Sequence, residues 1–175
     1  LTDTASHVGH LKDLHQRKID GLIVDYVGIK PPDEVLELVQ TGSTPTVFMD
    51  WTPENYNHAV TVHRIVGIEE AVNHLAELNH KRVAIITNEK AIEIQVTKVS
   101  AYKKLLEAAG VEVILGGDWV HKQNVSNIGV DTRNIVKRQF SKGGNLPTAL
   151  ILYNDAAALG ALRGAYETGL RVPED

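Results

Sequence analysis

Apolar residues along this 175-residue chain alternate between two spacings: stretches recurring at about 3.6 residues, and short continuous runs bounded by turn residues. Val8, Leu11 and Leu14 share one face of a helix predicted over residues 3–17, and a strand is predicted over 21–25. Pro31-Pro32 followed by Asp33-Glu34 reads as a helix start, with proline in the first turn and acids toward the positive end of the dipole. Val35, Leu36, Leu38 and Val39 then supply its apolar side. A second strand is predicted over 45–50, a polar loop over 51–58 and a third short extended segment over 59–62.

The second half repeats the pattern. Ile68, Ala71, Val72, Leu75 and Leu78 recur at helical spacing, and Lys81-Arg82 leads into a strand at 83–87. The spacing predicts a helix over 94–109 with Val99, Tyr102, Leu105 and Leu106 inward, ended by Gly110. A strand at 111–115, a loop through Gly116-Gly117-Asp118-Trp119 and a helix at 130–141 follow. After the turn Lys142-Gly143-Gly144-Asn145, the run 149–152 is too short for a helix and suits a strand covered on both faces. Strands alternating with helices imply an α/β fold with mainly parallel sheets flanked by helices. The chain shows no internal repeat and no low-complexity tract.

Asn154 and Asp155 stand at the carboxyl end of the 149–152 strand, where open α/β sheets bind ligands. Asp155 has two readings there: a cap for a helix over 156–168, or part of a binding site. Hydrophobic residues make up 43% of the chain, enough for a real core, and no apolar run approaches the roughly 18 residues needed to cross a bilayer. Zero cysteines exclude disulfides, thiolate metal sites and a cysteine nucleophile in this segment. A net charge of −4 with scattered Lys and Arg argues against this segment gripping nucleic acid by itself. Catalytic signatures are missing: there is no Gly-x-Ser-x-Gly, no Gly-x-x-x-x-Gly-Lys and no Gly-x-Gly-x-x-Gly, so the expectation is a protein that is not an enzyme and needs no cofactor. Among eight histidines, His7 and His10 share a helix face, but without a third ligand nearby they read as a solvated face and no metal site is expected.

Five blocks resemble, in order, the effector-binding core of LacI/GalR-type bacterial transcriptional repressors. They are Gly21-Leu-Ile-Val, Pro45-Thr-Val-Phe-Met-Asp50-Trp51, His74-Leu-Ala-Glu-Leu-Asn-His80-Lys-Arg-Val-Ala, Tyr102-Lys-Lys-Leu-Leu-Glu-Ala-Ala-Gly110, and the closing strand and helix with Gly169-Leu-Arg-Val-Pro-Glu-Asp175. The resemblance implies a two-lobed fold like that of periplasmic binding proteins, with residues 1–63 in the first lobe and 64–175 in the second, incomplete at both ends. It implies an internal fragment of a cytoplasmic regulator, with a helix-turn-helix absent from this chain that would contact operator DNA, and pairing into a homodimer. The effector, a sugar or related small polar molecule, would lie between the lobes. A periplasmic sugar-binding protein of an importer is the alternative with the same lobes.

Carried onto this sequence, the resemblance places Asp50 and Trp51 on the ligand from the first lobe, Asp50 accepting hydrogen bonds and Trp51 offering an aromatic wall; without it they read as a strand-end turn. Trp119 would set a ring against the ligand, or else be a core-edge aromatic. Asn154 would bind the effector while Asp155 caps the helix and organises the cleft. Lys98 stands where many members place an arginine, in Lys98-Val-Ser-Ala-Tyr102, keeping the charge without the two-pronged donor. Asn79 replaces the usual glycine before His80, and His63 replaces a frequent aspartate.

Overall fold

The computed structural model describes residues 4–25, 31–50, 58–88, 93–121 and 127–175. They form, in chain order, α1 (Thr4–Gln16), β1 (Leu22–Asp25), α2 (Asp33–Thr41), β2 (Thr46–Met49), β3 (Ala59–Val60), α3 (Arg64–Glu77), β4 (Arg82–Asn88), α4 (Glu93–Ala108), β5 (Glu112–His121), α5 (Ile128–Lys142), β6 (Ala149–Leu152) and α6 (Asp155–Glu167). Every strand pairing among the described residues is parallel, and the chain divides into two compact units, Leu1–His63 and Arg64–Asp175.

In the first unit the sheet order is β1-β2-β3. Side chains alternate across β2, so Thr46 and Phe48 turn inward while Val47 and Met49 are exposed. Phe48 packs with Val24 and with Val39 of α2, forming a core on one sheet face. The His15 ring of α1 meets the Thr44 hydroxyl at 3.0 Å, fastening that helix to the segment entering β2.

In the second unit the order is β5-β4-β6, with β4 buried along five consecutive residues. Alternate residues of β4 feed two cores. Val83 and Ile85 pack with Val72 of α3 and Leu106 of α4. Ala84 and Ile86 pack with Ile135 and Val136 of α5 and Ala161 and Ala165 of α6. Strand β6 contributes Ala149 and Ile151 to the first core and Leu150 and Leu152 to the second, so both its faces are covered although each residue remains half-buried.

Helices α5 and α6 approach until backbone meets backbone. A Cβ placed at Gly160 would lie 2.1 Å from the Gly129 carbonyl oxygen, and one at Gly164 would lie 2.8 Å from that of Arg133. The ends of the elements follow local chemistry. Asn79 (φ 59°) and Gly110 (φ 73°) carry the left-handed turns after α3 and α4, and the Asn127 side chain accepts from the Val130 N–H to start α5.

One element departs from the sequence pattern. The expected loop at 116–119 is part of β5, which runs unbroken to His121. Its pairing with β4 jumps from Ile85–Leu115 to Thr87–Val120, so Gly116 (φ 88°) and Gly117 (φ 58°) form a bulge within the strand. Glycine reads locally as a turn; here it lets the strand bend and resume pairing.

Candidate functional site

A cavity of about 360 Å³ opens in the second unit beside the carboxyl ends of β4 and β6. Its floor includes Ile85, Ile151 and Tyr153, and its sides carry Arg64 from the start of α3 and Lys98 and Tyr102 from α4. Parallel strands bring it there: the helices that follow β3 and β4 pack on one sheet face, and their early turns stand around the strand ends. Burial pushes the Tyr102 phenol above its ordinary value, the effect of an apolar wall. A second cavity, about 380 Å³, runs beside β6 among Phe140, Leu150, Leu162, Leu170 and Val172 and is apolar by comparison.

Beyond the strand ends lies a polar cluster. The His121 ring is fully buried; its Nδ1 is 2.6 Å from Asp131 Oδ2 and its Nε2 is 3.1 Å from the Thr132 hydroxyl. The Thr132 hydroxyl is also 2.8 Å from the Ile128 carbonyl, within the first turn of α5. The edge of one aromatic ring meets the face of the other between His121 and Tyr153, with centroids 5.7 Å apart at 85°. Burial pushes the Tyr153 phenol up; the nearby Asn88 side chain pulls the other way. The hydroxyl oxygens of Tyr153 and Thr87 are both closed to solvent, and Asn88 is the hydrogen-bonding side chain beside that of Tyr153.

The residues singled out from sequence separate. Lys98 lines the cavity. Asp50 ends β2 in the first unit, half-buried and in the left-handed region at φ 61°; Trp51 lies outside the described residues. Trp119 is only 7% exposed and packs its ring edge-on against Phe140, 6.1 Å away, within the core beneath α5 and α6. The bulge explains this: resumed alternation turns Trp119 and His121 inward where a loop would have left them open.

The capping role expected of Asp155 falls to Asn154. Asn154 is the cap: its backbone is extended (φ −159°, ψ 170°) and its side-chain oxygen accepts from the Ala157 N–H at 2.9 Å. Asp155 is already helical, so its carboxylate serves the dipole from the first turn and does not cap. The Asn154 amide nitrogen keeps its donors for other partners. His80, just after α3, brings its Nδ1 within 2.8 Å of the Thr148 hydroxyl just before β6.

Sequence reasoning missed Arg64, Thr87, His121 and Tyr153. For Tyr153 a signal existed, since alternation from Ile151 puts it on the α3–α4 face of the sheet. His121 carried none while β5 was expected to end at 115.

A helix-flanked parallel sheet with a cavity at its strand ends defines an α/β ligand-binding unit. The chain belongs to the periplasmic binding protein-like domain family, whose model matches residues 72–175, in the form of the LacI-type effector-binding core. Over 168 residues it is 33% identical to the HTH-type transcriptional repressor PurR of Haemophilus influenzae, a match covering 95% of this chain. The chain spans about half, 48%, of that relative's length. A LacI family transcriptional regulator from Bifidobacterium animalis subsp. lactis superposes with a TM-score of 0.80 at 20% identity, covering 100% of this chain and 62% of that one. The Lac repressor dimer bound to operator and the anti-inducer ONPF gives 0.74 at 20% identity, covering 98% and 57%. Both structures share the fold.

Proposed function

We propose that this chain is the effector-sensing core of a cytoplasmic, DNA-binding transcriptional regulator, and that it binds a small polar ligand, a sugar or related molecule. The observation that carries the ligand site is the cavity at the ends of β4 and β6, which combines apolar walls with the Lys98 ammonium and two tyrosines. Lys98 supplies a charged donor from the cavity wall, and Asn154, directly after the cavity-lining Tyr153, offers its amide donors. Trp119, sealed in the core, is left out of the ligand set.

Operator binding through a helix-turn-helix outside this chain and pairing into a homodimer are supported by the repressor relatives and by the solved dimer on its operator. Their being repressors favours this reading over a periplasmic importer protein. Effector shifts operator affinity only by its difference in affinity for the two arrangements of the protein. The test is calorimetry of the full-length protein against a panel of sugars and nucleosides, with operator binding followed by gel shift. Lys98→Ala is expected to weaken the bound panel member about tenfold or more; unchanged affinity in Lys98→Ala rules out this site.

A further inference from the structure

Two of the side chains lining the cavity are cations, Arg64 and Lys98, and no carboxylate is among the described residues that line it. They come from different helices: Arg64 opens α3, and Lys98 stands in the second turn of α4. Both are half-buried, in a cavity whose walls include Ile85, Val99 and Ile151. A cation that gives up water against apolar side chains is stabilised by a negative partner, and the attraction strengthens as the surroundings become less polar. Each of the two also interacts within the protein, so an incoming oxyanion would share them or draw them away from those contacts. The position of Arg64 adds to this. The first turn of α3 holds no acid, and a helix start already favours negative charge through its free N–H groups. An arginine there opposes the dipole instead of complementing it, so its charge does not serve the helix. Gly67, in the same turn, also lines the cavity, and among the described residues a Cβ there would meet nothing within 4 Å.

We infer that Arg64 and Lys98 make this cavity selective for a ligand bearing an oxyanion, a phosphate or carboxylate group, with Arg64 as the residue that distinguishes such a ligand from its neutral parent. The inference rests on reading this cavity as the effector site, and it narrows the ligand from a small polar molecule to an acidic sugar derivative. Arg64 presents a planar, two-pronged donor, which fits an oxyanion through two parallel hydrogen bonds. Lys98 is a point charge with rotatable donors, so it serves the hydroxylated body of the ligand as well as its charge.

The test is calorimetry of the full-length protein against three pairs: D-glucose 6-phosphate and D-glucose, D-ribose 5-phosphate and D-ribose, D-galacturonate and D-galactose. Wild type is compared with Arg64→Gln, Arg64→Lys and Lys98→Ala. The acidic member of at least one pair is expected to bind wild type about tenfold or more tightly than its parent, the gain of a hydrogen bond to a charged group. Arg64→Gln should remove that preference and leave the parent's affinity unchanged, which also reports an intact fold. Arg64→Lys should keep part of the preference, and Lys98→Ala should weaken both members of the pair. Raising salt from about 0.05 M to about 0.5 M should weaken the acidic member alone. Which pairs respond tells phosphate from carboxylate. Neutral sugars bound as tightly as their acidic partners, or a preference left intact in Arg64→Gln, overturns the inference; Lys98→Ala still impaired would then leave the effector site standing. Affinity unchanged in Lys98→Ala for every bound probe overturns the effector-site reading, and the inference with it. No binding of any of the six overturns the inference, while the nucleosides of the wider panel still test the site.

Discussion

His121 Nδ1 donates to Asp131 Oδ2 across 2.6 Å, tying the last residue of β5 to the first turn of α5 through a ring with no solvent exposure. Removing the acceptor leaves a buried N–H unbonded. Asp131→Ala is therefore expected to destabilise the full-length protein by about 1–3 kcal/mol, and Asp131→Asn by less, because an amide oxygen can still accept. Urea unfolding followed by circular dichroism measures both, as a shift in midpoint at constant slope.

Asn154, and not Asp155, should carry the cap of α6. Asn154→Ala is expected to cost about 1 kcal/mol, with Asn154→Ser nearly neutral. For Asp155→Ala the expected loss is smaller, about 0.3–1 kcal/mol, because only the dipole interaction is removed. Equal losses at both positions in denaturant titrations would contradict the assignment.

The α5–α6 contact makes Gly160 and Gly164 irreplaceable, whereas a third glycine, in α1, is dispensable. Gly160→Ala forces a methyl group against the Gly129 carbonyl, so a loss of at least about 1–3 kcal/mol is expected. Among the described residues a methyl group at Gly9 would meet nothing within 4 Å, and Gly9→Ala should stabilise by up to about 1 kcal/mol through helix propensity. Paired melts of the Gly160 and Gly9 variants read the contrast directly.

Glu167 gathers the Arg133, Arg163 and Lys137 side chains, at 2.6, 2.6 and 2.9 Å. The hydrogen bond from Arg133, then those from Arg163 and Lys137, hold its carboxyl far below the ordinary 4.5. A depressed folded-state value means the stabilisation is complete above the unfolded value and fades as pH falls toward the folded one. Wild type is thus expected to exceed Glu167→Gln in stability at pH 7, with the gap closing as pH falls below 4.5. Because these partners are partly exposed, 1 M salt should narrow the gap at pH 7 as well.

The alternation of helix and strand was legible because the two apolar periods are distinct and because Pro32, Gly110 and Gly143 punctuate them. The sequence was silent where long-range pairing decides. Gly116-Gly117 has the local chemistry of a turn, and only the hydrogen bonds from β4 make it a bulge, which in turn decides whether Trp119 is core or wall. Asn154 and Asp155 are both good caps, so their roles depend on a helix start known to a single residue. Lys98 was found through resemblance, whereas Arg64 and Thr87 reach the strand ends by folding, with no motif to announce them.

The left-handed backbone of Asp50 bears on how this protein can change over generations. Glycine or asparagine would adopt φ 61° more readily than aspartate, so selection for stability alone would favour either of them at the end of β2. Each would abolish the negative charge. Under the ligand role proposed for Asp50 from the resemblance, a lineage that relaxed its need for the ligand would therefore be expected to drift toward glycine or asparagine at position 50, and the persistence of aspartate there among descendants would support that role.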